Sequence, residues 1–438
     1  MRRTLALFRQ IRENLSSQFR RPIYFDTNAT TPIDPIVQKR MARVQKHIFG
    51  NASSLHMFGS AAREVVEEAR RSVARVINAE PSEIIFTSGG TEANTTVIKS
   101  AAAGASAVGN TQARAHFITS RIEHPSVLET FRRLEARGFD VTYLSVDAHG
   151  CVSVSELESA LRITTLLVSI MHVNNELGTI QPIAEIAKRC ASRGIPFHSD
   201  CVQSFGKLPI DIRTLPIDFL TCSAHKINGP KGAGAIFMRQ GVRLNPLLEG
   251  GHQERLLRAG TEAVGAIAGF GKACDVLSSI DPIVLRNQSA PIKSIVIDGM
   301  RQVFPEMRIN GSTDHSLHTT LNMTLSGIPN AEILAYLDFY NIAVSVGSAC
   351  VAGSSEVSHV LAALGVSDDD IRSSFRISFG RFNTEQEARS FVSVLGRFAR
   401  DRKEFFSYLM PGELLAQDVL SGSVTLVDVR SEDQRRET

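Results

Sequence analysis

The chain has 438 residues, of which 43% are hydrophobic, 21% charged and 6% aromatic, with no tryptophan; at about 150 residues per domain this predicts two or three domains and ample material for a core. Lysine plus arginine number 48 against 45 for aspartate plus glutamate, a net charge of +3, which gives no ground for nucleic acid or a membrane surface as the main partner. The longest apolar stretch, Leu166 to Val173, is interrupted by Ser169 and His172 and falls far short of a membrane span.

Residues 1–22 carry Arg2, Arg3, Arg9, Arg12, Arg20 and Arg21 against one acid, Glu13. Leu5, Phe8, Arg9 and Arg12 fall at helical spacing, which fits a mitochondrial transit peptide and equally a solvated basic extension. The expected compartment is therefore the cytoplasm or the mitochondrial matrix. From about residue 60, helical and strand patterns alternate. Residues 62–76 read as a helix with Val65, Val66, Ala69 and Val73 on one side. Strands are expected at 84–86, 116–119, 141–146, 166–171, 196–198, 219–222 and 235–238, and helices at 127–137, 154–161 and 183–193. Such alternation predicts α/β architecture with a covered, mainly parallel sheet. Beyond about residue 265 strands at 319–324, 342–346 and 374–378 mix with helices at 331–338 and 385–397, the pattern of a smaller α+β domain. The expected division is a basic extension at 1–22, a stretch at 23–264 that is mainly the large domain, a small domain at 265–410 and an appendage at 411–438.

Six cysteines, at 151, 190, 201, 222, 274 and 350, include no C-x-x-C pair. Neither a disulfide framework nor a metal site is expected, and all but Cys350 read as small buried hydrophobes in a reducing compartment.

Four stretches carry chemistry. In Thr87-Ser88-Gly89-Gly90-Thr91-Glu92-Ala93-Asn94 a strand runs through two glycines into a helix, which turns backbone N–H groups and the helix dipole toward one spot, a seat for a phosphate. It lacks the P-loop lysine and the G-x-G-x-x-G spacing, and a glycine pair that only caps its elements is the plainer alternative. Asp200 ends an apolar strand, where open α/β sheets place ligand groups; capping the next helix is the alternative. Lys226 follows another strand, between His225 and the run Gly229-Pro230-Lys231-Gly232, and a desolvated lysine there can form a Schiff base with a carbonyl. A phosphate cradle, an acid for a pyridinium proton and a Schiff-base lysine are together what pyridoxal 5'-phosphate requires. Lastly, Cys350 stands in a run of Gly, Ser and Ala at 345–355, the composition of an exposed loop where a thiolate can act as nucleophile or be incidental.

With these residues in view the chain resembles the cysteine desulfurases, pyridoxal-phosphate enzymes of the class V aminotransferase group with fold type I. Within them it is most similar to the long-loop branch serving nitrogen fixation and general iron–sulfur cluster assembly. The likeness runs over about residues 22–405, from Tyr24-Phe25-Asp26-Thr27-Asn28-Ala29-Thr30-Thr31-Pro32 to Arg376-Ile377-Ser378-Phe379-Gly380-Arg381-Phe382. Between them lie Asn51-Ala52-Ser53-Ser54-Leu55-His56, Glu123-His124, His172-Val173-Asn174-Asn175-Glu176-Leu177-Gly178, Ser223-Ala224-His225-Lys226 and Arg258-Ala259-Gly260-Thr261.

The resemblance implies a fold with a large domain built on a mainly parallel sheet and a smaller α+β domain. It implies that Lys226 carries the cofactor, Asp200 meets its pyridine nitrogen and His124 stacks on its ring and exchanges protons. Asn175 and Gln203 would lie near its phenolic oxygen, and Gly90, Thr91, Ser223 and His225 at its phosphate. Thr261 would reach the phosphate of a neighbouring subunit, implying a homodimer, and Arg376, with Asn175, would grip the substrate carboxylate. L-cysteine would lose its Cα proton to Lys226 and its sulfur to the Cys350 thiolate, leaving alanine and a persulfide destined for an iron–sulfur scaffold or sulfur-carrier protein, or for tRNA thiolation. Neither nucleic acid nor membrane is expected as a direct partner. The sequence departs from the family at Val346, where serine is usual, at Asn28, where serine is frequent, and at Ala52, where proline is frequent; none of these removes a catalytic group. Gly412-Glu413-Leu414-Leu415 and Val424 to Arg430 resemble the opening of a rhodanese-like domain, without the cysteine such a domain uses. A selenocysteine lyase, an ordinary class V aminotransferase and an idle sulfur-transfer scaffold are the alternatives.

Overall fold

Six strands of the central sheet end at one edge, and that edge gathers most of the expected site residues. The computed structural model describes residues 22–107, 115–280, 282–347 and 357–409; the basic N-terminal segment before residue 22, Cys350 and the stretch 411–438 lie outside them. The sheet has seven strands in the order β2-β8-β7-β6-β5-β3-β4, namely β2 (Ile84–Thr87), β3 (His116–Ser120), β4 (Asp140–Leu144), β5 (Thr165–Ser169), β6 (Phe197–Asp200), β7 (Phe219–Ser223) and β8 (Gly234–Met238). β4, β3, β5, β6 and β7 pair in parallel, while β8 runs against both β7 and β2. Strands β2, β3, β6 and β7 are buried along their whole length, as a sheet covered on both faces requires.

Helices α1 (Pro35–His47), α2 (Met57–Val76), α3 (Gly90–Ala107), α4 (Pro125–Glu135), α5 (Val154–Ala160) and α6 (Ile183–Ser192) alternate with these strands. α2 begins five residues before the expected start at residue 62, because the His56 ring accepts the Gly59 N–H at 3.3 Å and caps the helix. Its inward stripe holds Val65, Val66, Ala69 and Val73, as the periodicity predicts.

The second unit holds an antiparallel sheet of β12 (Ser374–Ser378), β10 (Thr320–Thr324) and β9 (Arg308–Asn310), and a short pair of β1 (Ile23–Tyr24) with β11 (Ile342–Ala343). Its helices are α8 (Pro282–Val303), α9 (Asn330–Phe339), α10 (His359–Ala363), α11 (Asp368–Ile371) and α12 (Glu385–Leu409). Two expected limits are corrected by the packing. Helix α7 (Val264–Ser278) buries Ile267, Phe270, Ala273 and Cys274 in the first core, so the division falls after it and not at residue 265. At the other end Ile23 and Phe25 belong to the second core, Phe25 packing edge-on against Phe379 and Phe391. The strand expected at 342–346 is only two residues long, with Ser345 bridged separately to Arg376. Cys190, Cys201, Cys222 and Cys274 are buried, and Cys151 is half-buried. Among the described residues no helix is long and apolar enough to cross a membrane, and no cluster of ligands could hold a metal ion.

Candidate active site

The glycine turn after β2 is shaped by close backbone approach. A Cβ on Gly90 would stand 2.7 Å from Val202 Cγ2, and one on Gly234 only 2.6 Å from the Gly89 Cα. The first N–H groups of α3 have no partner within the helix, and the Ser223 hydroxyl lies 3.9 Å from where a Gly89 Cβ would be. Glu92 braces the turn: it accepts the Ser88 N–H at 2.8 Å and pairs with Arg258 at 2.9 Å. Burial pushes its carboxyl up, but Arg258 and Ser88 outweigh that and hold it below the usual range. Burial, with Lys226, Lys231 and Lys207 nearby, lowers His225 to about 4, so its ring is neutral beside the Thr30 hydroxyl at 3.1 Å.

Asp200 is the last residue of β6 and is buried. Its Oδ1 accepts the Val202 N–H at 2.9 Å and its Oδ2 accepts Asn94 Nδ2 at 2.7 Å, while the Asn94 oxygen accepts from Thr221 at 2.5 Å. The carboxylate is thus fixed by a side chain one helical turn beyond Gly90. His124 caps α4, its Nδ1 accepting the Ser126 N–H at 3.1 Å, which leaves Nε2 as the protonated nitrogen of the neutral ring. Burial lowers its pKa; Asp200 opposes this, and Lys226 and His359 reinforce it. Lys226 ends the short 3-10 turn Ala224–Lys226 after β7. Its Nζ donates to the Asn28 carbonyl at 2.5 Å and the Ala29 carbonyl at 2.8 Å. Gln203 Nε2 donates to the same Asn28 carbonyl at 2.9 Å.

Arg376, in the middle of β12, is 1% exposed. Its guanidinium donates to Asp26 at 2.6 Å and to the Asn175 carbonyl at 3.0 Å, and its Nε is buried with no partner among the described residues. An unmatched buried guanidinium N–H leaves one donor that an anion could satisfy. Thr261 stands exposed after Arg258 and makes no hydrogen bond to Gly90, Ser223 or His225 among the described residues.

The structure therefore brings Asp200, His124 and Lys226 within electrostatic reach of one another, sets the glycine turn beside Ser223, and joins Asn28 to Lys226, Gln203 and Asn175. An anion seat, a fixed carboxylate, an amine and a guanidinium suit pyridoxal phosphate bearing an amino acid. Asn94 closes the glycine stretch read from the sequence, whereas Lys207 and the Asn28 carbonyl are site groups that the sequence reading misses. Asn94 is placed by its spacing of four from Gly90 on a helix; a backbone carbonyl has no such signal.

A chain with these groups on this sheet edge is matched over residues 23–391 by the family model described as aminotransferase class-V, and the chain belongs to that family. Within it, relatives named as cysteine desulfurases match most of the chain. The chain is 44% identical over 369 residues to the putative cysteine desulfurase IscS 1 of Bacillus subtilis, covering 84% of this chain and 96% of that protein. Among solved structures, a NifS-like protein superposes with a TM-score of 0.80 at 34% identity, over 87% of this chain and all of that one. SspA, solved in complex with cysteine, gives 0.72 at 38% identity, over 82% of this chain and 98% of its own.

Proposed function

We propose that this protein is a pyridoxal-phosphate-dependent cysteine desulfurase. It converts L-cysteine to L-alanine and passes the sulfur, as a persulfide on Cys350, to an acceptor serving iron–sulfur cluster assembly or tRNA thiolation. One convergence carries the reading: an amine, a fixed carboxylate and a buried arginine with an unmatched N–H meet in a chain 44% identical to a cysteine desulfurase. The likeness to SspA, solved with cysteine, supports the substrate.

Gly90, Thr91, Ser223 and His225 would hold the cofactor's phosphate, Asp200 its pyridine nitrogen, His124 its ring face, Asn175 and Gln203 its phenolic side and Lys226 its carbonyl carbon. When bound, the cofactor supplies an electron sink for the pair left by the breaking Cα–H bond. Arg376 receives the substrate carboxylate; it is already braced by Asp26 and the Asn175 carbonyl, so little ordering is left to do on binding. The Lys226 amine takes the Cα proton, and the neutral His124 ring is suited to exchange a second one. The Cys350 thiolate attacks the substrate sulfur: an S–S bond forms, the C–S bond breaks and its electron pair goes to Cβ, which gains a proton and becomes a methyl group, while Cα regains the proton that Lys226 took, giving alanine. Two copies form the working unit, a reading supported by the exposure of Thr261 and of the large apolar side chains at 49–58.

The test compares alanine and sulfide production from L-cysteine with a reductant. Cys350→Ala should keep the yellow colour of the loaded protein and lose at least a hundredfold in both products, while Lys226→Ala should lose the colour itself. A Cys350→Ala protein as active as the wild type would replace this reading with a lyase or aminotransferase.

A further inference from the structure

A side-chain amide turned over exchanges its donor for its acceptor with no change of shape, so its direction is set by its neighbours. For Gln203 both ends are determined. Nε2 donates to the Asn28 carbonyl at 2.9 Å, and Oε1 accepts from Lys207 Nζ at 3.0 Å. The carbonyl can only accept, and a lysine nitrogen donates whether charged or neutral. The reversed amide would set oxygen against oxygen and N–H against N–H, a costly mismatch in a buried place. The Gln203 NH2 therefore shares the Asn28 carbonyl with Lys226 Nζ, which reaches it at 2.5 Å, and has a second N–H to give.

We propose that Lys207 is a positioning residue of the reaction site: by donating to Gln203 Oε1 it fixes the amide with its NH2 on the side of Lys226, where the cofactor's phenolic oxygen belongs. The proposal rests on the cofactor reading above. Lys207 donates to Gln203, and the charged groups acting on it are Lys226 and Arg376, with no carboxylate among them. Burial, together with Lys226 and Arg376, pushes its ammonium down to about 7. The surroundings thus disfavour the charge, whereas the N–H donor survives deprotonation; the donor is what the position uses.

The experiment is a double-mutant cycle on the cofactor-loaded protein with Lys207→Met, Lys207→Arg and Gln203→Ala. It reads the affinity for pyridoxal phosphate and the pH midpoint of the loaded protein's absorption change, and uses no cysteine. A donor toward the phenolic oxygen stabilises its anion, so losing that donor makes the lysine–cofactor linkage hold its proton to higher pH. Lys207→Met should raise the midpoint by about half a unit or more and weaken cofactor binding about tenfold. Lys207→Arg, which keeps a donor, should restore both, and also reports if the methionine variant fails to fold. In the Gln203→Ala background, Lys207→Met should add less than twofold. A methionine variant within twofold of wild type in affinity and unchanged in midpoint overturns the proposal, as does an equal effect with Gln203 absent. A wild type that takes up no cofactor overturns the reading beneath it, a distinct result.

Discussion

Glu123, one residue before His124, is wholly enclosed. The Ser120 hydroxyl donates to its Oε1 at 2.6 Å and the Met171 N–H at 2.9 Å, so one carboxyl ties the end of β3 to the chain just past β5. Burial pushes it up to about 8; Ser120 and Met171 pull it down, and Asp200 adds to the rise. Near neutrality it is an acid that keeps its proton. In the unfolded chain the same group ionises near 4.5, so the native state binds more protons across this window. Stability is then fully present below about pH 4.5 and falls as pH rises toward 8, by up to ~1.4 kcal/mol per pH unit. Glu123→Gln keeps acceptors for Ser120 and Met171 and cannot ionise. Its thermal midpoint should match wild type near pH 4.5 and exceed it by a growing margin up to pH 8; a margin constant with pH would mean that Glu123 is ionised in the fold. Nothing local in the sequence announces this, because Met171, which closes over Glu123, lies 48 residues further along the chain. Lys226 and Asp200 were legible for the opposite reason: each stands at the end of an apolar run, and open sheets present such ends to ligands.

Among the elements, β8 does the most to shape the cradle, by approaching it. A Cβ on Gly234 would meet the Gly89 Cα at 2.6 Å and the Cys222 carbonyl at 2.8 Å, backbone on both sides, so neither can yield cheaply. Gly234→Ala should cost ~1–3 kcal/mol in a denaturant melt and weaken cofactor binding by displacing the glycine turn. Gly232→Ala is the control: it meets nothing within 4 Å and only strains a backbone at φ +81°, so it should cost ~1 kcal/mol with cofactor affinity unchanged. Equal cofactor affinities in the two variants would show that the close approach does not shape the site. The order of elements was legible because a period of 3.6 and short apolar strands survive in any context. Their limits were not: the His56 cap starts α2 early, and α7 falls where the sheet rhythm ends yet still covers the first core through Phe270 and Cys274. Rhythm marks where a chain leaves a sheet, and packing decides where it leaves a core.

For the whole molecule, the second unit reaches the site through Arg376 and through the first strand of the chain, so the site closes only when both cores are in place. One apolar surface stays uncovered in a single copy. Leu55 is 93% exposed, Met57 76%, Phe49 73% and Phe58 50%, with the Phe49 and Phe58 rings stacked at 5.4 Å. Large apolar side chains grouped in this way on an exposed surface mark a place of contact. Thr261 is exposed and without a hydrogen bond to its own cradle, and on the proposed function it is the group that such contact would bring to the site of a second copy. Leu55→Glu with Phe58→Glu would place two charges in that contact, where desolvating them costs far more than a homodimer gains from either leucine or phenylalanine. The wild type should sediment as two chains and the double variant as one, with circular dichroism unchanged because both side chains lie outside the cores. If the sites are shared, separation must also weaken cofactor binding, and Thr261→Ala in the wild-type background should reproduce that loss without changing the sedimentation. A double variant that sediments as one chain and still binds cofactor with wild-type affinity would make each site self-sufficient and remove Thr261 from it.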